Sequence, residues 1–305
     1  MIEKPCYICR SGGYTSVVVQ TTDDHYLSLI DPALNAEARA IVRGDTCGFS
    51  YHSPTLSDSE IHTLYQKFRD TDFRGETPDT YFDRITSYPK DQSQNYQKTV
   101  RLNDLVLRFL PPKGHRSVYD VGSGGGVFLK TFLDHADGTW SAYGCEPTPS
   151  YAELSRRRLG IPIVSCLYEP RLFDRRFELI TAIKVVEHAS DPIAFLSGLR
   201  EDLLDDGVVY VEVPNSREVF RLAPHHDQLL YVHLHFFSLP VFEYVCARAG
   251  FDIVWKEEPE SASGEVDLVV ALKKAPVRSA NEFTFPLQDR ASFDAQVAEA
   301  QRQLP

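Results

Sequence analysis

Val118-Tyr119-Asp120-Val121-Gly122-Ser123-Gly124-Gly125-Gly126-Val127-Phe128-Leu129 is the stretch on which the reading of this chain turns. An apolar strand runs into a bend almost free of side-chain bulk, and the bend runs into a helix. Glycines in such a bend let the backbone take positive φ and approach a ligand closely. A dinucleotide fingerprint beginning at Gly122 would place its glycines at 122, 124 and 127. Position 127 is Val, and the third glycine comes at 126, so the turn reads acid-x-Gly-x-Gly-x-Gly. A strand-helix turn with incidental glycines is the bland alternative; five small residues in a row, 122–126, behind Asp120 argue against it. No Gly-Lys-Ser/Thr follows, so a P-loop is not supported.

Outward from this turn the texture is that of a doubly wound sheet. Short apolar runs at Ser117–Val121, Trp140–Glu146, Ile163–Cys166, Leu179–Lys184 and Gly207–Val213 alternate with amphipathic stretches or short crossovers. Asp191-Pro192 marks a helix start, and Gly250 sits where a helix from about Leu239 to Ala249 would be capped. Phe251–Trp255 and Asp267–Lys273 read as an antiparallel closing pair. Upstream, residues 1–54 suit a small Cys-containing β ribbon. Residues 55–112 suit a helical linker or lid, with Ser57 or Asp58 as a cap and a second helix from Asn95 to Leu110, ended by Pro111-Pro112. The expected fold is therefore α/β, with a Rossmann-like, mostly parallel sheet at 113–275. A polar tail, 276–305, carries a weak helical pattern from Ser292.

The glycine turn resembles motif I of class I S-adenosylmethionine-dependent methyltransferases. Lys184-Val185-Val186-Glu187-His188 with Asp191-Pro192, and Gly207 to Asn215, resemble the fourth- and fifth-strand motifs of that superfamily. Phe236-Phe237-Ser238 and Ala249-Gly250-Phe251 are similar to the late segment of a subgroup acting on sugars and natural products. The resemblance covers about residues 116–275. It implies S-adenosyl-L-methionine as cofactor, a small-molecule methyl acceptor, and a cleft lined by Tyr119, Asp120, Gly122, Gly124, Gly126, Glu146, Cys166, Leu167 and Lys184. Asp120 would face the cationic amino-acid end. Glu146, at the tip of the second core strand, would accept hydrogen bonds from ribose hydroxyls.

Methyl transfer to a hydroxyl needs a base, and histidine titrates near neutrality. His188 follows the fourth core strand at the lip of the cleft. His233 and His235, two apart, would share one face of an extended segment; His233 is the second expected base, and His225, His226 and His235 read as polar loop residues. Sugar C-methyltransferases resembling this late stretch carry Tyr-x-Glu-His. Here Leu230 and Val232 stand at the Tyr and Glu positions and only His233 is kept, which favours O-methylation of a sugar, nucleotide-sugar, glycan or natural-product hydroxyl. Cys6-x-x-Cys9 and Cys47 resemble a zinc-ribbon knuckle pair whose fourth position is Gly44. A zinc site would then need His25, Asp45 or His52 as its fourth ligand. Cys145, Cys166 and Cys246 read as core residues.

A hydrophobic fraction of 43% suffices for a buried core without disulfides. The net charge of −11 opposes a nucleic-acid groove. Arg156-Arg157-Arg158, the one basic run of note, reads as a solvated helix face. No long apolar segment or signal-like amino terminus is present, so the expectation is a cytoplasmic protein with no membrane or nucleic-acid partner. The oligomeric state stays open. The competing classes are a sugar C-methyltransferase, a nicotinamide-dependent oxidoreductase and a non-catalytic binding module.

Overall fold

The computed structural model describes residues 1–10, 12–68, 75–136, 138–220, 222, 226–260 and 265–282. At the amino-terminal end, β1 (Tyr14–Gln20), β2 (Arg39–Gly44) and β3 (Ser50–Ser53) pair antiparallel, with Tyr14 opposite Gly44 and Ala40 opposite Ser53. Between β1 and β2 lies α1 (His25–Ile30). Helices α2 (Asp58–Lys67), α3 (Pro78–Thr86) and α4 (Gln94–Phe109) follow. Ser57, not Asp58, caps α2, in a reciprocal capping box with Glu60.

The core then runs β4 (Arg116–Val121), α5 (Val127–His135), β5 (Trp140–Cys145), α6 (Pro149–Leu159), β6 (Ile163–Val164), β7 (Phe177–Ile183), α7 (Pro192–Asp202) and β8 (Leu203–Pro214). It closes with α8 (Ser216–Val219), β9 (His235–Phe236), α9 (Leu239–Arg248), β10 (Phe251–Glu257) and β11 (Asp267–Lys274). Seven of these strands form one sheet in the order β10-β11-β8-β7-β4-β5-β6. The β8-β7-β4-β5-β6 run is parallel, while β11 is antiparallel to both β8 and β10. This is the Rossmann-like sheet with an antiparallel edge that the pattern predicts. One face buries Val121, Leu196, Leu199, Phe242 and Val245 against α7 and α9; the other buries Val118, Leu102, Leu105, Leu129 and Phe132 under α4 and α5.

Local chemistry sets the boundaries. Asp191 Oδ1 accepts from the Ile193 and Ala194 amides at 3.0 Å each, so α7 starts where the Asp-Pro pair predicts. Strand β6 is only two residues long, shorter than the expected Ile163–Cys166, and β8 begins four residues before Gly207. The arginine run does not face water unpartnered. Arg157 donates to Asp79 Oδ2 (2.6 Å) and Arg158 pairs with Asp83, pinning α6 to α3.

The amino-terminal ribbon is not closed on itself. β9, from the segment after β8, pairs with β3 and supplies a fourth strand, setting Ser50 opposite Phe236 and Tyr51 opposite His235. Cys6, Cys47 and Phe49 share one apolar cluster with Val213 and Phe237. The expected tail helix lies outside the described residues.

Asp24 joins these parts. It is fully buried; its Oδ1 accepts from the amides of Tyr26 (2.8 Å) and Leu27 (3.2 Å), and its Oδ2 from the amide of Tyr231 (2.8 Å). Asp24→Ala leaves three buried donors unpaired, a loss of about 2–4 kcal/mol. A lowered urea midpoint, with Asp24→Asn losing less than Asp24→Ala, is the expected outcome.

Candidate functional site

The strand order reverses beside β4, with β5 on one side and β7 on the other. In an open α/β sheet that reversal opens a crevice at the carboxyl ends of the strands. The glycine turn fills its floor. Gly122, Gly124 and Gly126 have φ of 71°, 53° and 81°. A side chain on Gly122 would strike Val185 Cγ2 at 2.6 Å, so the turn can pass β7 only as glycine. Gly122 and Ser123 donate their N–H groups to Cys145 O (2.9 and 3.0 Å), and Gly124 donates to Glu146 Oε2 (2.8 Å). Glu146 Oε1 takes the Thr148 amide at 2.9 Å. The acid at the tip of β5 is thereby held against the turn.

Two cavities meet at Gly122, Ile183 and Lys184. The first, 390 Å³, is lined by Glu146, Pro147, Leu167, Val185, His188 and Asp191, with Ile61, Tyr65 and Phe68 of the α2 region as its outer wall. The second, 460 Å³, is lined by Asp120, Ser123, Gly124, Gly125, Asn95 and Lys98. Both volumes suit small ligands. Asp120 is buried and accepts from Thr181 Oγ1 (2.6 Å). Burial pushes its carboxyl up to about 7, although the Thr181 hydrogen bond opposes the shift.

The donor chemistry discriminates among ligands. The Gly124 N–H is taken by Glu146, and the Gly126 N–H by Ser123 O (3.0 Å). A pyrophosphate needs such amides at the helix end and would also meet the carboxylates of Asp120 and Glu146. A nucleoside bearing a cationic amino-acid tail fits: Asp120 offers an anion in one cavity, and Glu146 an acceptor in the other. S-adenosyl-L-methionine has these features and no phosphate. Near the junction, Lys98 Nζ donates to the buried Glu212 (2.6 Å), and Lys184, itself at φ 58°, pairs with Asp267. Burial raises the Asp267 carboxyl to about 6.

Not every predicted residue reaches the crevice. Tyr119 is fully buried among Phe173, Phe177 and Tyr168, on the opposite side of the strand from Asp120. Gly126 lies against Ser155 and Leu159 of α6, both 2.8 Å from an added Cβ, and lines neither cavity. Cys166 packs on the core while its neighbour Leu167 lines the first cavity. His233 and His235 do not share an extended face, because a turn closes at His233 with its N–H on Leu230 O (3.0 Å). His235 is buried, with Nε2 bonded to Ala189 O (2.9 Å) and its ring edge-on to Tyr7. His233 stands behind His188, ring centroids 5.0 Å apart, and only His188 lines the cavity. His188 Nδ1 donates to Val232 O and His233 Nδ1 to Gln228 O, which leaves Nε2 as the lone-pair nitrogen of each ring.

Lys98, Glu187 and Glu212 escaped the sequence reading. Glu187 alone had a signal there, its place beside His188; Lys98 and Glu212 are 114 residues apart and meet only through the fold. Cys6, Cys9 and Cys47 do gather, their sulfur atoms within 4.8 Å of one another. Cys6 Sγ and Cys47 Sγ are 3.4 Å apart, and a Cβ on Gly44 would lie 3.3 Å from Cys47 Sγ. Among the described residues, His25, Asp45 and His52 do not join them. Asp45 accepts from Thr15 Oγ1 (2.9 Å), and His52 is buried against Tyr231.

With this geometry in hand, the profile of the family described as a methyltransferase domain matches residues 94–256, slightly more than half of the chain. The chain belongs to that family. The catalytic unit is thus of the S-adenosylmethionine-dependent class that the glycine turn resembles. A tRNA U34 carboxymethyltransferase of Campylobacter jejuni is 25% identical over 173 residues, 51% of this chain and 56% of the relative. A ubiquinone biosynthesis O-methyltransferase of Actinobacillus pleuropneumoniae is 24% identical over 149 residues, 44% of this chain and 62% of the relative. The chain therefore spans little more than half the length of the curated relatives it matches. The plantazolicin methyltransferase, solved with a desmethyl substrate analogue and SAH, aligns over 72% of this chain and 98% of its own, at 15% identity and a TM-score of 0.51. That likeness is one of fold. The relatives named for tRNA conflict with the exclusion of nucleic acid drawn from net charge. No described helix is long and apolar enough to cross a membrane.

Burial opposes ionisation of the Asp120 carboxyl in the folded protein. Its folded-state value lies above the ordinary 3.8, so its ionisation costs stability as pH rises from about 4 through about 7. A cation bound beside it favours the ionised form. Binding of S-adenosylmethionine should then release a proton below about pH 7 and tighten as pH rises through that value. Calorimetry in buffers of different ionisation heat reads the proton, and Asp120→Asn should abolish its release and weaken binding about tenfold, or 1.4 kcal/mol.

Proposed function

We propose that the protein transfers the methyl group of S-adenosyl-L-methionine to a hydroxyl of a small molecule, of the sugar, nucleotide-sugar, glycan or natural-product class. The observation that carries the reading is the placement of Asp120 and Glu146 on either side of Gly122, one in each of two joined cavities. When bound there, the cofactor supplies a methyl on a sulfonium, already a good leaving group. The protein's task is to orient the acceptor and exclude water. Tyr65 and Phe68 wall the acceptor side; the Tyr65 hydroxyl is fixed on Val232 O (2.7 Å), and Thr148 Oγ1 ties the carbonyl of Tyr65 to the start of α6 (3.0 Å). His188, on that wall with Nδ1 occupied, presents Nε2 as proton acceptor, and His233 buttresses its ring.

An uncharged part of the acceptor, such as a sugar ring, suits this wall. Among the described residues its acidic side chains are Glu146, Glu169 and Asp191, and its one lysine, Lys184, is paired with Asp267. Transfer to a tRNA base is the second reading, favoured by the names of the curated relatives. A turnover assay that follows the demethylated cofactor across nucleotide sugars, hydroxylated metabolites and tRNA decides between them. The expected outcome is turnover with a hydroxylated small molecule. His188→Ala should lower kcat by about 10²–10⁴ with cofactor affinity held within about threefold; turnover with tRNA alone would replace the acceptor class.

The thiol cluster supports a zinc site of three thiolates, Cys6, Cys9 and Cys47, completed by a ligand from solvent. Gly44 keeps the backbone of a fourth ligand without its sulfur. Gly44→Cys should raise zinc affinity by at least tenfold, measured by chelator competition, and raise the melting temperature only in the metal-loaded protein.

A further inference from the structure

Behind the cavity wall, three side chains that the methyl-transfer reading uses only in part converge. Glu187 sits in the single turn Val186–His188 that follows β7, and its side chain is wholly buried. Among the described residues, neither of its carboxylate oxygens has a hydrogen-bond partner. Buried carboxylates are almost always satisfied, because an unpaired charge in low dielectric is expensive. His188 Nε2 lies 4.0 Å from Glu187 Oε1.

The two histidines are prepared in the same way. Each fixes Nδ1 on a backbone carbonyl, Val232 O for His188 and Gln228 O (3.0 Å) for His233, so each offers Nε2 with a lone pair. A carbonyl that holds the second imidazole nitrogen is the usual outer support of a metal-bound histidine, since it fixes both tautomer and ring direction. The backbone locks the group further: Leu234 N–H donates to Glu187 O at 2.9 Å, joining the loop of His233 to the turn of Glu187 and His188. One ligand atom from each of Glu187, His188 and His233 lies within 4.8 Å of the others. An ion with bonds of about 2.0–2.2 Å spaces its ligands by roughly 3–4 Å, so side-chain rotations suffice to close the set.

We propose that Glu187, His188 and His233 bind one divalent first-row transition-metal ion at the inner edge of the acceptor cavity. Two imidazoles and one carboxylate suit manganese, iron or zinc better than magnesium, which prefers an all-oxygen shell. Three protein ligands leave positions for exchangeable ones, the arrangement of a reactive site and not of a structural one. Because His188 lines the cavity, the ion would border the acceptor. With the ion bound, His188 Nε2 is its ligand and no longer the proton acceptor; holding an acceptor oxygen and lowering the pKa of its hydroxyl would take over that part, a role that, unlike the binding itself, rests on the methyl-transfer reading.

Manganese is the probe, since the thiolates of Cys6, Cys9 and Cys47 favour softer ions. The full chain, stripped with a chelator, is titrated with Mn²⁺ and free ion is followed by electron paramagnetic resonance. One Mn²⁺ per chain is expected, unaffected by Cys6→Ser, with affinity lowered at least tenfold in Glu187→Gln and in His233→Gln. Loss of binding in Cys6→Ser alone, unchanged affinity in the His233 variant, or no Mn²⁺ bound by the wild type would overturn the proposal. His233→Gln replaces a half-buried turn residue and serves if the buried Glu187 variant fails to fold. Cofactor affinity measured on the same samples separates the two readings: a chain that binds Mn²⁺ but not S-adenosylmethionine keeps this site and loses the methyltransferase assignment.

Discussion

The hydrogen bond from the Gly124 amide to Glu146 is the contact around which this protein is arranged. It joins the bend after β4 to the tip of β5, and it exists only because the chain enters the left-handed region at Gly122 and Gly124. With any side chain at Gly122 the bend would collide with the β-branched Val185, which has no rotamer freedom to yield cheaply. The same contact consumes an amide that a phosphate would want. The turn and the Glu146 carboxylate together therefore disfavour a phosphate at this helix start.

Charge is handled locally and with little left over. Lys98 with Glu212, Lys184 with Asp267, and Arg157 and Arg158 with the acids of α3 are closed pairs. Most basic groups near the crevice are thus already answered by carboxylates. Among the described residues, Asp120 and Glu187 are buried carboxyl groups without an ion-pair partner of this kind, and burial raises both toward the neutral acid. Burying a carboxylate without a counter-charge lowers stability. A cation bound beside either group would favour its ionised form.

How much of this could be read from the residues depends on sequence distance. The strand-turn-helix at 118–129, the Asp191-Pro192 cap and the closing antiparallel pair are each encoded within a dozen residues, so periodicity and cap chemistry reveal them. The position of Glu146 at the tip of β5 is legible because it follows from the strand after the turn. Tyr119 and Gly126 line neither cavity, because a motif is read as a block, whereas strand alternation sends Tyr119 to the core and helix packing sends Gly126 to α6. The meeting of Lys98 with Glu212, and of His233 with Glu187, joins elements far apart in the chain. No local pattern records such contacts. His235 shows the same limit: two positions from His233, it faces the amino-terminal sheet because β3 captures it.

That capture by β3 has an architectural consequence. A fragment cut to the span that the family matches, 94–256, would keep His235-Phe236 but lose the strand that satisfies their backbone. It would also uncover Leu230, Val232 and Leu234, which pack on α1 and α2. An open strand edge next to bare apolar surface invites self-association. The segment ahead of the sheet is thus less an accessory than a built-in chaperone for the excursion after β8, and the protein divides poorly into exchangeable modules at this seam.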